Sequence, residues 1–111
     1  MIESSLYQIE GETDWQDLDD GVQRKIFGYD NRVMMVKVKF ERDAVGVLHK
    51  HPHTQISYVE SGVFETTIGE EKKVLKKGDG FYIPSNVTHG VICIEAGMLV
   101  DVFSPHREDF L

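Results

Sequence analysis

The chain has 111 residues, 41% of them hydrophobic, and carries 12 basic against 19 acidic side chains for a formal net charge of −7. That length supports one domain with its own core, taken here as residues 1–111, and leaves no room for a second. The negative balance argues against a broad nucleic-acid or anionic-membrane surface, no apolar run approaches the roughly 18 residues of a membrane span, and the single Cys93 has no internal disulfide partner.

The opening Met1-Ile2-Glu3-Ser4-Ser5 lacks the basic-then-apolar pattern of a secretory signal, so a cytoplasmic location is expected. The acidic stretch Asp14 to Gly21 reads as a solvated loop or arm, with Trp15 as its apolar anchor. Beyond it the pattern has period two. Val36, Val38 and Phe40 alternate with Lys37 and Lys39, and the segments Phe64 to Ile68 and Met98 to Phe103 are rich in β-branched and aromatic residues. Turn signals at Tyr29 to Arg32, Glu60 to Gly62, Gly69 to Lys73, Lys77 to Gly80 and Ala96-Gly97 separate these runs. The spacing predicts an all-β antiparallel sandwich or barrel with no helix of useful length. Cys93, within Val91-Ile92-Cys93-Ile94, reads as a small buried hydrophobe.

Four of the five histidines fall in two short blocks, His49-Lys50-His51-Pro52-His53-Thr54-Gln55 and Pro84-Ser85-Asn86-Val87-Thr88-His89. On an extended segment His49 and His51 project to one side, and Gln55 keeps that parity. A distant third imidazole, His89, would close a pocket able to grip a divalent metal while leaving positions open for water or substrate. His53 shares the parity but follows Pro52, and reads as a rim residue; His106, beyond Pro105, reads as a surface residue. In the final strand, Asp101 and Phe103 share one face while Val100 and Val102 share the other. Asp101 is thus a candidate proton carrier if that face lines the metal cavity. Arg107 either folds back as a carboxylate clamp or is an ordinary surface residue.

The two blocks resemble the paired motifs of the cupin superfamily, G-x5-H-x-H-x3/4-E-x6-G and G-x5-P-x-G-x2-H-x3-N. Here they run His49-x-His51-x3-Gln55-x6-Gly62 and Gly78-x5-Pro84-x-Asn86-x2-His89. Four positions depart from the pattern: Asp43 for the leading Gly, Gln55 for Glu, Asn86 for the Gly after Pro84, and Cys93 for the closing Asn. The resemblance spans roughly residues 33 to 107. It implies a double-stranded β-helix, or jelly-roll barrel, of antiparallel strands over about residues 26–107, preceded by an arm over about residues 1–25. Gly62 and Gly78 are expected at sharp hairpin turns, and Pro84 just after the apolar run Phe81-Tyr82-Ile83. Gln55 in place of Glu removes a negative charge, so an anionic ligand would be welcome beside the ion.

Within that superfamily, the tail Asp101-Val-Phe103-Ser-Pro-x-Arg107-Glu-Asp-Phe-Leu111, together with Gln55, resembles the small cupins of pectin and alginate degradation, which convert 4,5-unsaturated monouronates to linear keto-deoxyuronates. The resemblance implies His49, His51, Gln55 and His89 as ligands of a divalent transition metal (Zn, Ni, Fe or Mn), and Asp101, Phe103 and Arg107 as residues needed for activity on a small acidic sugar. Two other classes stay open: a metal-dependent cupin dioxygenase, and a non-enzymatic sugar- or organic-acid-binding module. The apolar Ile2, Leu6 and Ile9 suit a surface covered by a second copy, so a homodimer is expected, although the same segment could fold back on its own barrel.

Overall fold

The computed structural model describes residues 2–111, and among these it contains eight strands and two short 3₁₀ turns, Glu10–Glu12 and Glu108–Phe110. The strands are β1 (Gln16–Asp17), β2 (Val22–Tyr29), β3 (Met34–Phe40), β4 (Val45–His49), β5 (Thr54–Ile68), β6 (Glu71–Lys76), β7 (Gly80–Ile83) and β8 (His89–Ser104). Every pairing is antiparallel. The fold is therefore the antiparallel all-β architecture expected from the alternation, and the jelly roll that the resemblance implies.

Two long strands organise it. β5 and β8 pair along almost their whole length, from Thr54↔Ser104 to Ile68↔His89, with the register slipping between Val59 and Phe64. On one side of that slip β8 pairs with β3, β3 with β2, and β5 with β7; on the other β8 pairs with β4 and β5 with β6. The two long strands thus bend from one sheet into the other and hold the inner faces together. The turn signals at Glu60 to Gly62 and Ala96-Gly97, expected as hairpin turns, lie instead inside β5 and β8 at this bend. The bend resets parity: Gln55, Ser57 and Val59 face inward before it, Phe64 and Thr66 after it. Gly62 makes it sterically feasible, with φ of +82° and the backbone of Glu95, Ala96 and Gly97 so close that a Cβ would stand 2.6 Å from the Glu95 carbonyl oxygen. Gly78, with φ of +95°, does sit in the turn leading to β7.

The apolar core gathers beside the bend. Phe40, Ala44, Val59, Phe64, Cys93 and Leu99 form one buried cluster, with the rings of Phe40 and Phe64 edge to face at 5.3 Å. The larger of these side chains, Phe40, Val59, Phe64 and Leu99, each contribute roughly 1.5–3 kcal/mol of transfer free energy. Away from the bend the inner face turns polar. The cross-strand row Met34, Phe103, Gln55, Ile83 lies next to the row Val36, Asp101, Ser57, Phe81, so an amide, a hydroxyl and a carboxylate are buried side by side on one sheet. On the facing sheet His49 pairs with His89.

The N-terminal segment folds back on its own chain. Glu3 bridges Asp30, and Ser4 hydrogen-bonds both ways with Tyr29. Lys25 points outward from β2 yet is only 2% exposed, because its Nζ donates to the Glu10 carbonyl at 3.1 Å and pairs with the Glu10 carboxylate at 3.2 Å. Trp15 anchors the acidic arm as expected, with the Lys25 and Lys39 ammonium groups 4.7 and 4.4 Å from its ring centroid.

Candidate active site

Three imidazoles converge between the sheets. His49 ends β4, His51 follows it, and His89 opens β8; their nearest ring nitrogens all lie within 4.8 Å of one another. His51 and His89 are buried and His49 lies on the exposed side of the group. The backbone selects one tautomer for all three. Nδ1 of His49 lies 2.8 Å from the Val47 carbonyl, that of His51 3.0 Å from the His53 carbonyl, and that of His89 2.9 Å from the Val87 carbonyl. A carbonyl oxygen only accepts, so each Nδ1 carries the proton and each Nε2 keeps its lone pair. Burial pushes the His89 imidazole down to about 4 and His51 below its ordinary value, so both are neutral near pH 7.

This donor set fits a divalent cation. His89 Nε2 is buried with no hydrogen-bond partner among the described residues, an acceptor that water or an ion must satisfy. His51 Nε2 approaches Gln55 Oε1 to 3.0 Å. The Gln55 amide nitrogen donates to Ser57 Oγ at 3.0 Å, which turns Oε1 toward the ring. Two lone-pair atoms at that separation repel each other unless a cation lies between them. His49, His51, His89 and Gln55 are therefore the residues that could hold a metal, and they are the four expected from spacing.

The same network reaches the carboxylate. Ser57 donates to Asp101 Oδ1 at 2.6 Å, so Gln55, Ser57 and Asp101 form a directed chain leading away from the imidazoles. Asp101 is buried on the inner face, as its parity with Phe103 suggested. Burial pushes its carboxyl up to about 6, although the Ser57 hydrogen bond and the Arg107 guanidinium pull the other way.

Phe103 is 3% exposed and forms a wall, its ring edge to face with His51 at 5.7 Å and with Phe110 at 5.9 Å. Arg107 does fold back, with its guanidinium carbon 5.1 Å from the Phe103 centroid and 4.2 Å from that of Phe110. Its fork, however, is already engaged: Nε and Nη2 donate to the two Asp109 oxygens at 3.1 and 2.9 Å. His53 Nε2 donates to the His106 carbonyl at 3.1 Å, so that nitrogen is turned from the cluster and His53 is a half-buried strut for the tail. His106, expected on the surface, is half-buried with Nδ1 3.1 Å from the Asn31 carbonyl.

A pocket of about 380 Å³ joins these groups, lined by His49, Gln55, His89, Asp101, Phe103 and Arg107 together with apolar residues of both sheets. Two participants escaped the sequence reading. Ser57 had no motif to flag it. Arg24 did leave a signal, because in Val22-x-Arg24-x-Ile26 a charge occupies an inward position of an alternating strand. A wider cleft of about 640 Å³, lined by Asp17, Lys39, Glu41 and Ser61 among others, contains no imidazole.

The jelly roll, with three histidines and an amide gathered between its sheets, is a cupin architecture, and the chain belongs to the cupin family: the cupin domain matches residues 36–103. It is 48% identical over 107 residues to the pectin degradation protein KdgF of Dickeya dadantii (strain 3937), a match covering 95% of this chain and 97% of that protein. Among solved structures, KdgF from Halomonas sp. superposes with a TM-score of 0.93 at 43% identity over 97% of this chain and all of that one. An RmlC-like cupin from Shewanella frigidimarina NCIMB 400 gives 0.98 at 39% identity, covering both chains completely.

Proposed function

We propose that this cupin is a metal-dependent enzyme that opens 4,5-unsaturated monouronates, of the kind released in pectin or alginate breakdown, to linear keto-deoxyuronates. The observation that carries this reading is the near full-length similarity to a pectin degradation protein, combined with a buried Asp101 hydrogen-bonded through Ser57 and Gln55 toward a histidine cluster. His49, His51 and His89 through Nε2, and Gln55 through Oε1, would hold a divalent cation, which when bound polarises the substrate's oxygens and supplies Lewis acidity.

The chain's own residues then have acid–base work to do. The substrate is a cyclic hemiacetal with an enol-ether double bond between C4 and C5. Opening it breaks the C1–O5 bond, takes the proton from the C1 hydroxyl, and places a proton on C4 as C5 becomes a ketone and C1 an aldehyde. The balance is an isomerisation with no external oxidant. A single group that titrates near the working pH can serve both transfers, and Asp101, held at about 6, meets that requirement. Phe103 excludes water on one side, and Arg107, stacked on Phe103, brings the tail against the pocket.

The test is anaerobic incubation of the metal-loaded protein with unsaturated galacturonate or guluronate monomer, following the enol-ether absorbance. Bleaching without oxygen supports the ketonising reading. Oxygen-dependent turnover or binding without bleaching overturns it.

The proposal extends to a homodimer. Leu6 and Tyr7 are 94% and 82% exposed on the arm, and Met35, Ile56 and Tyr82, aligned across neighbouring strands through Val102, leave an apolar stripe on the outer sheet face. Such a stripe on a domain this small suits a covered surface.

A further inference from the structure

We propose that Arg24, which lies outside the family motifs, is the specificity-determining residue that receives the sugar carboxylate; the inference rests on the uronate reading above.

Arg24 is the third residue of β2, pairs with Val38, and through it aligns with Leu99 on the inner face. A guanidinium in that apolar row carries a desolvation cost, and such positions are kept where the charge has a partner. Its direct partners are neutral, and the one carboxylate that acts on it, Asp109, is held by Arg107. Nε donates to Gln16 Oε1 at 2.9 Å, and the guanidinium carbon stacks 3.8 Å from the Phe110 centroid. Among the described residues no carboxylate lies within ion-pair distance of it, and neither Nη atom has a hydrogen-bond partner. With Nε occupied, the free edge is the paired Nη end, which matches a carboxylate in bidentate fashion.

Arg107 stands in contrast on the same aromatic ring. Its Nε and Nη2 both serve Asp109, whose carboxylate also cancels its charge. Of the two guanidinium groups lining the 380 Å³ pocket, Arg24 therefore has the open fork and no ion pair of its own, feeling Asp109 only from beyond contact distance. Burial lowers its pKa, which marks the charge as poorly hydrated without discharging it. Asp101, His49 and Arg24 line one pocket, so a sugar acid can span from proton donor to guanidinium. A neutral sugar would leave the Arg24 fork unsatisfied, and that penalty is what confers selectivity for the acid.

The experiment is a cycle pairing Arg24→Met, which keeps an unbranched apolar stem and removes the guanidinium, with esterification of the substrate. With metal-loaded protein and unsaturated galacturonate, R24M is expected to raise KM tenfold to a hundredfold while kcat stays within threefold. The methyl ester should raise KM similarly in the wild type. R24M with the ester should be no worse than either change alone, and R24K should recover part of the loss. Multiplying effects, or an R24M protein indistinguishable from wild type, overturns the assignment of Arg24. If the wild type bleaches no unsaturated uronate, the catalytic reading fails by itself, and calorimetry with galacturonate and galactose decides the Arg24 question separately. Preference for galacturonate that is lost in R24M supports it; no preference, or preference retained in R24M, overturns it.

Discussion

Asp101 shows how one residue's surroundings set its chemistry. An aspartate carboxyl ordinarily titrates near 3.8, whereas burial holds that of Asp101 at about 6. The folded state therefore keeps a proton that the unfolded state has lost, so this group's contribution to stability is complete below about pH 4 and disappears as pH rises through 6. Two pH units correspond to about 3 kcal/mol that the ionised carboxylate costs at neutrality. Asp101→Asn keeps an acceptor for the Ser57 hydroxyl and removes the charge. Metal-stripped D101N is expected to be more stable than wild type by about 3 kcal/mol at pH 7 and no more stable at pH 4, as urea titrations at the two pH values would read. Turnover should fall at least about a hundredfold with metal content unchanged, since a positioned acid–base group contributes roughly 10²–10⁴ in rate. His89 behaves with the opposite sign: its imidazole, ordinarily near 6.5, is held at about 4, so its stabilising contribution is present above 6.5 and lost as pH falls toward 4.

At the scale of an element, β5 places two chemistries on one strand by changing parity partway along. Before Gly62 its odd residues deliver Gln55 and Ser57 to the pocket; after it the even residues Phe64 and Thr66 face inward. Ala at Gly62 would have to adopt φ near +82° with its Cβ against three backbone groups of β8. Gly62→Ala is expected to cost about 2 kcal/mol or more, read as a lowered urea midpoint with an unchanged m-value. The motif's departures from glycine have the same explanation. Asp43 and Asn86 stand where the cupin pattern has Gly, and both adopt left-handed backbone, with φ of +69° and +63°. Asp and Asn are among the non-glycine residues that accept that region most readily, so the loops keep their shape without glycine.

For the molecule as a whole, a cation binding only the assembled site should stabilise the fold by mass action. At a hundredfold excess over Kd the gain is about 2.7 kcal/mol, roughly a 10 °C rise in melting temperature for a domain of this size. Chelation should reverse the rise in the wild type, and His89→Ala should show almost none; scanning fluorimetry with and without chelator measures both. The outer stripe and the exposed arm lead to the expectation of a dimer by sedimentation, with an interface above about 1,000 Å² in a crystal structure. A monomer at micromolar concentration would remove it.

The alternation of β3 and the final strand, the histidine spacing and the motif glycines made the all-β fold and the four candidate ligands readable from the chain, because side-chain parity on a strand and turn stereochemistry are local properties. The inward position of Asp101 was likewise visible as parity with Phe103, but which compartment that face lined was not. Only the folded chain decided that Glu60 to Gly62 is a bend inside a long strand, that Ser57 links Gln55 to Asp101, that Asp109 occupies the fork of Arg107, and that Arg24 enters the pocket with its own fork free. Each of those facts depends on which residues from distant parts of the chain meet, and on how much water their meeting excludes. Pairing register and desolvation arise only when the two sheets close, so no local pattern in the sequence encodes them alone.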